Sequence, residues 1–209
     1  MKNLFSLDNP VMIFLGKVAD LVILNLLFVF CSAPIITVGA SATAMCYVTL
    51  KARDGYEGSV MRYFFKAFKE NFFQATGMWL ILLLLAILLR FNYGLINTVG
   101  MVMRIVIYVC TAILAMVALY AFFLQARFQN TVLRTLRNAL VLAIGNAPRS
   151  ILAGALTAAV VWLSLFSPEA FGYALPVWTI IGFAAFNKLL CRILCSNIGG
   201  LGPARQDTE

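Results

Sequence analysis

Long apolar stretches alternate with short basic ones along this chain. Leu21–Phe30, Met78–Leu89, Ile105–Leu124, Ile151–Phe166 and Tyr173–Phe186 are almost wholly apolar. Each lies at the core of a stretch near the roughly 20 residues that a helix needs to cross a bilayer. Hydrocarbon offers the backbone no water to bond, so such stretches are expected to be helical. A first helix is predicted from about Pro10 to Ala33, ending where Pro34 breaks it. Ile35–Leu50 is short for a span and rich in Gly, Ala, Ser and Thr, residues that let helices approach closely in lipid. It predicts a second helix that is buried and tilted or broken. A re-entrant hairpin is the other reading, admissible only if protein shields its backbone. Further spans are predicted over Phe72–Leu89, over Met101–Leu124, from Pro148 in the first turn of a fifth, and over Tyr173–Leu194. Lys51–Glu70 lies outside the membrane. Arg90–Gly100 and Ser167–Gly172 read as loops, and Gly199–Glu209 as a short, flexible, exposed tail. The expectation is an all-α polytopic bundle of six spans, residues 1–209 forming a single membrane domain.

Two polar segments repeat a pattern. Phe64–Phe72 (FFKAFKENF) and Val132–Leu140 (VLRTLRNAL) both place two bases at i,i+3 beside apolar residues, and both precede a span. Each predicts a cytoplasmic amphipathic helix, apolar on one face and basic on the other. Lys66, Lys69, Arg134 and Arg137, with Arg149 at the start of the fifth span, are candidates for contact with lipid phosphates or with a partner protein.

Composition turns the pattern into a class. Of 209 residues 63% are hydrophobic and 11% charged, whereas soluble domains carry about 25% charged residues. A water-soluble fold of this size lacks the polar cover to hide so much apolar surface. With the N-terminus inside and six crossings, the inner side holds fourteen of the sixteen Lys and Arg residues, leaving Arg90 and Arg104 outside. That bias follows the positive-inside rule and puts both termini in the cytoplasm. The net charge of +8 is accounted for by this bias and by anionic lipid, so no nucleic-acid partner is implied. Lys17 and Asp20 interrupt the first apolar run, and no small-residue cleavage site follows closely, so the first helix reads as retained.

Little in the chain points to catalysis. Histidine is absent, and seven of the eight carboxylates (Asp8, Asp54, Glu57, Glu70, Glu169, Asp207 and Glu209) fall in expected loops, ends or interfaces. No phosphate loop, nucleophile elbow or metal-ligand spacing appears. Neither an enzyme nor a cofactor is expected. The five cysteines sit in apolar runs and read as packed free thiols; Cys191 and Cys195 share a helix face but have no acid or histidine to complete a metal site. Asp20 is the outlier, because an ionisable group within a span usually pairs or serves a pathway. One reading pairs it with Lys17. The other joins Asp20 with Asn25, Thr37, Ser41 and Thr43 in a polar intramembrane cluster that binds a solute or glues helices together. Pro34 and Gly39 mark a helix break. Transporters that use such breaks carry them in matched pairs, and no second span is expected to have a comparable central Pro/Gly pair. Small-residue faces at Gly39–Thr43 and Gly154–Ala158 leave homo-oligomerisation open.

The order of a charged first helix, NLLFVFCSAPIITVGASATA (Asn25–Ala44), FFKAFKENFFQATGMWL (Phe64–Leu80) and a basic helix ending NAPRSIL (Asn146–Leu152) resembles the YesL family of bacterial membrane proteins. Pro34–Gly39 (PIITVG) is the most specific part. The resemblance implies a bacterial plasma-membrane protein and an association with carbohydrate ABC importers, because such proteins are often encoded beside sugar permeases. It implies no reaction. A regulatory or accessory role through protein contact is therefore expected, the alternative being a transporter or channel for a small sugar-related solute that uses the Asp20–Thr43 region.

Overall fold

A computed structural model of the chain describes residues 10–55, 58–94, 100–128, 130–165 and 168–195. Helix α1 spans Pro10–Cys31, with proline in the first helical position, where its missing N–H costs nothing. Ser32–Pro34 turns the chain, and a 3-10 turn, Ile35–Thr37, leads into α2, Val38–Arg53. The Thr37 hydroxyl lies 2.6 Å from the Cys31 carbonyl, an oxygen that the end of α1 leaves open, and 2.8 Å from the Pro34 carbonyl, its one proton shared between them. The Trp79 indole N–H donates to the Ile35 carbonyl at 2.9 Å and ties the turn to the next helix. The Ile35–Leu50 segment thus forms one unbroken helix after its opening turn, with no hairpin. The turn and α2 together reach about 30 Å, the thickness of the hydrocarbon core.

Helix α3 runs from Val60 to Gly94 without interruption. At 35 residues it is about 52 Å long, more than a whole bilayer. The expected amphipathic helix at Phe64–Phe72 is the opening of α3, not an element of its own. The reason is visible in its packing: Phe64, Ala67, Asn71, Ala75, Met78 and Leu82 form one buried seam that passes through the change from polar to apolar sequence. Helix α4 is Met101–Arg127, and α5, Val132–Gly145, is the second amphipathic segment, here a separate helix as expected. Helix α6 is Ala147–Leu165, with Pro148 in its first turn. Helix α7, Pro168–Val177, a π turn at Trp178–Gly182, and α8, Phe183–Leu194, form one continuous rod. Residues 168–172, expected as a loop, therefore belong to a helix.

Among the described residues six helices are long and apolar enough to cross a membrane. Helix α2 sits at the centre, packed against α1, α3, α4 and α8, and is buried from Gly39 to Leu50 but for Ala42. Its contact with α3 is close: a Cβ added at Gly39 would stand 2.5 Å from both the Ala75 carbonyl oxygen and Trp79 Cβ. All five cysteines are free thiols. Cys46, Cys191 and Cys195 are packed, whereas Cys110 faces outward from α4.

Candidate functional site

The five residues expected as one polar cluster go to different places. Asn25 is fully buried and reaches from α1 into the π turn of the last rod. A π turn shifts the backbone ladder by one residue and leaves groups in need of partners. The Asn25 amide supplies them: its Nδ2 donates to the Trp178 carbonyl at 2.9 Å and the Thr179 carbonyl at 2.7 Å, and its Oδ1 accepts from the Ala184 N–H at 2.9 Å. The Trp178 indole donates to Ser164 Oγ at 3.1 Å and packs on Phe183 and Phe186. Thr37 caps the α1 turn. Ser41 and Thr43 are fully buried in α2, and their hydroxyls have no partner among the described residues, so they contribute small size to the packing and no hydrogen-bonded glue. Asp20 is exposed, as is Lys17.

The π turn also corrects the expectation that only one break exists. The final span holds Pro176 inside the helix and closes its π turn at Gly182. Pro176 and Gly182 are local signs of irregular helix, but the side chain that satisfies the turn lies about 150 residues earlier.

A second polar set escaped the sequence reading. Gln125, buried in the last turn of α4, donates to Gln74 Oε1 of α3 at 2.8 Å and accepts from the Thr135 hydroxyl of α5 at 2.9 Å. The Ser150 hydroxyl donates to the Ala143 carbonyl at 2.9 Å and lies 3.4 Å from the Tyr120 hydroxyl. These contacts fasten α5 to α3, α4 and α6. They explain how α5 sits: its buried stripe is Thr135, Ala139 and Ala143. Leu133, Leu140 and Ile144 then form one exposed flank, and Arg134, Arg137 and Val141 lie beside it. The outer face of α5 is hollowed by a depression of about 530 Å³ lined by Thr131, Leu133, Arg134, Arg137, Asn138 and Val141. Of the other candidate contact residues, Lys66 is half-buried on α3, Lys69 is exposed on it, and Arg149 is exposed in the first turn of α6.

A larger cavity, of about 600 Å³, opens between α1, α2, α3 and α8. Lys17, Asp20, Lys51 and Lys188 line it together with Leu21, Leu24, Val48 and Thr49. Of the five residues of the expected polar cluster, Asp20 alone is part of it.

These features define a class: an all-α, multi-pass membrane bundle with a basic end, a small-residue central helix and an outward-facing amphipathic helix. The family model described as a protein of unknown function, DUF624, matches residues 21–93. The match takes in α1 from Leu21, the whole of the central helix α2 and nearly all of α3. No curated protein and no solved structure matches the chain.

Proposed function

We propose that this protein is an accessory or regulatory subunit of the bacterial plasma membrane that acts by contact with other membrane proteins and not by catalysis. The observation that carries this reading is the outer face of α5. A helix held to the bundle by Thr135, Ala139 and Ala143 turns Leu133, Leu140, Val141 and Ile144 outward next to two arginines. Arginine is enriched at protein contact surfaces, and an apolar patch beside it supports this reading. The positive-inside bias supports a cytoplasmic position for this face and for both termini. The resemblance to the YesL family supplies the partner class, a carbohydrate ABC importer. The solute-transporter alternative has less support, since Asn25, Ser41 and Thr43 are enclosed in helix contacts.

The test is affinity purification from native membranes under mild solubilisation, with mass spectrometry of what is retained. Importer subunits are expected with the parent protein and are expected to be lost when Arg134→Glu and Arg137→Glu are combined. Recovery of the parent protein alone would sink the proposal.

A further inference from the structure

We propose that the cavity between α1, α2, α3 and α8 is a binding site for the phosphate group of an anionic amphiphile. Its volume of about 600 Å³ falls within the span of small-molecule pockets, about 300–1,000 Å³. Three helices each bring one ammonium to it: Lys17 from α1, Lys51 from the last turn of α2, and Lys188 from α8 at the far end of the chain. Among the described residues one carboxylate, Asp20, lines the cavity with them, so the described charged lining (three positive, one negative) is positive by two. Lys51 is steadied by the Tyr47 ring, whose centroid lies 5.8 Å from its Nζ.

The lining joins charge to apolar surface. Lys17 and Asp20 are exposed, Lys51 and Lys188 are half-buried, and Leu24 and Val48 are buried. An anion held only by its charge has no use for apolar surface, and a lipid tail alone has no use for three ammoniums. A molecule with a phosphate at one end and apolar substance at the other matches both. Lysine ammoniums hold phosphate as point charges with several donors each, and phosphate returns several acceptor oxygens. The phosphate can belong to a lipid headgroup or to a soluble compound. This site stands apart from the α5 face and does not depend on the partner reading above.

The test is native mass spectrometry of the full chain in detergent with three probes: phosphatidylglycerol, phosphatidylcholine and inorganic phosphate. Phosphatidylglycerol is expected to bind in preference to the zwitterionic lipid. Combining Lys17→Ala with Lys188→Ala is expected to weaken it about tenfold or more. Lys17→Arg with Lys188→Arg is expected to retain most of the binding, and Arg134→Ala with Arg137→Ala to change it less than about twofold. In the unaltered protein, phosphatidylglycerol is expected to slow acetylation of Lys17 and Lys188 but not of Lys69, which keeps the test decisive even if the alanine variant fails to fold. Displacement of the lipid by inorganic phosphate would support the site with a soluble ligand as its source; lipid binding indifferent to phosphate would support it with a headgroup. Equal binding of the two lipids, equal losses at the cavity and on α5, or unprotected lysines would overturn the proposal.

Discussion

Helix α2 and the outer halves of α3 and α4 are opposite solutions to life in a bilayer. Of the α2 span 61% is buried, against 17% and 22% of the spans in α3 and α4. Yet α2 holds Gly39, Ser41, Thr43 and Thr49, while the outward residues Leu84, Leu88, Val102 and Val106 are among the most apolar in the chain. In water the apolar helix would be inside. In lipid the tails are as apolar as leucine, so leucine gains nothing by turning inward, and close packing by small residues decides what is central. Between α2 and these outer halves, burial follows small size and not hydrophobicity.

The sharpest way to break this comparison is to fill the α2–α3 contact. Gly39→Leu places its Cβ against the Ala75 carbonyl and Trp79 Cβ, both 2.5 Å away. Backbone is poor at yielding, so the cost is expected to reach about 3 kcal/mol or more. Thermal unfolding in lipid nanodiscs should show a large drop in Tm; an unchanged Tm would mean that α2 does not depend on close approach.

Next is the amide that joins α1 to the last rod. Asn25→Ala strands two carbonyls and one N–H in the π turn. Interhelical hydrogen bonds in membranes are worth about 0.6 kcal/mol each on average, and the stranded groups add their own penalty, so about 2 kcal/mol is expected. The same unfolding assay checks it. Stability equal to the parent's would show that the π turn anneals to a regular helix once the amide is gone.

The connection between α4 and α5 is weaker. Gln125→Leu removes the bonds to Gln74 and Thr135. Gln74 is exposed and finds other partners, whereas Thr135 is buried and does not. A loss of about 1 kcal/mol is expected. Faster hydrogen exchange confined to α5 would be its signature, and uniform exchange across the chain would count against a local fastening.

What could be read from sequence follows the same division. Five spans were legible because lipid imposes a length of apolar residues on any crossing helix; the sixth, Ile35–Leu50, is short and reaches that length only with the last turn of α2 added. The central place of α2 was legible from its small residues. The continuity of α3 was not: the change from FFKAFKENF to apolar sequence marks where the helix enters lipid, and such a change by itself reads as the start of a new element. The destination of Asn25 was hidden because its partners are set by the tertiary packing of α1 on the last rod. The cavity was hidden likewise, since Lys17, Lys51 and Lys188 come from three different helices and only the packing of α1, α2, α3 and α8 brings them together. The inward position of Thr135 was missed because a hydroxyl beside two arginines reads as part of a polar face.

The smallest effect is the most telling about the outer half of the molecule. Leu84 lies on α3 beyond Trp79 and is 59% exposed. In a soluble core Leu→Ala costs about 2–5 kcal/mol, most of it from transfer to water and from the cavity left behind. At Leu84 lipid fills the space and solvates the alanine as well as the leucine, so the expected loss is below about 0.5 kcal/mol. Unfolding of Leu84→Ala in nanodiscs, measured at several protein-to-disc ratios, checks this. A loss that stays small at every ratio fits a lipid-facing helix. A loss that grows as more copies share a disc would mean that a second copy covers Leu84, and the exposed halves of α3 and α4 would then belong to an interface and not to the lipid.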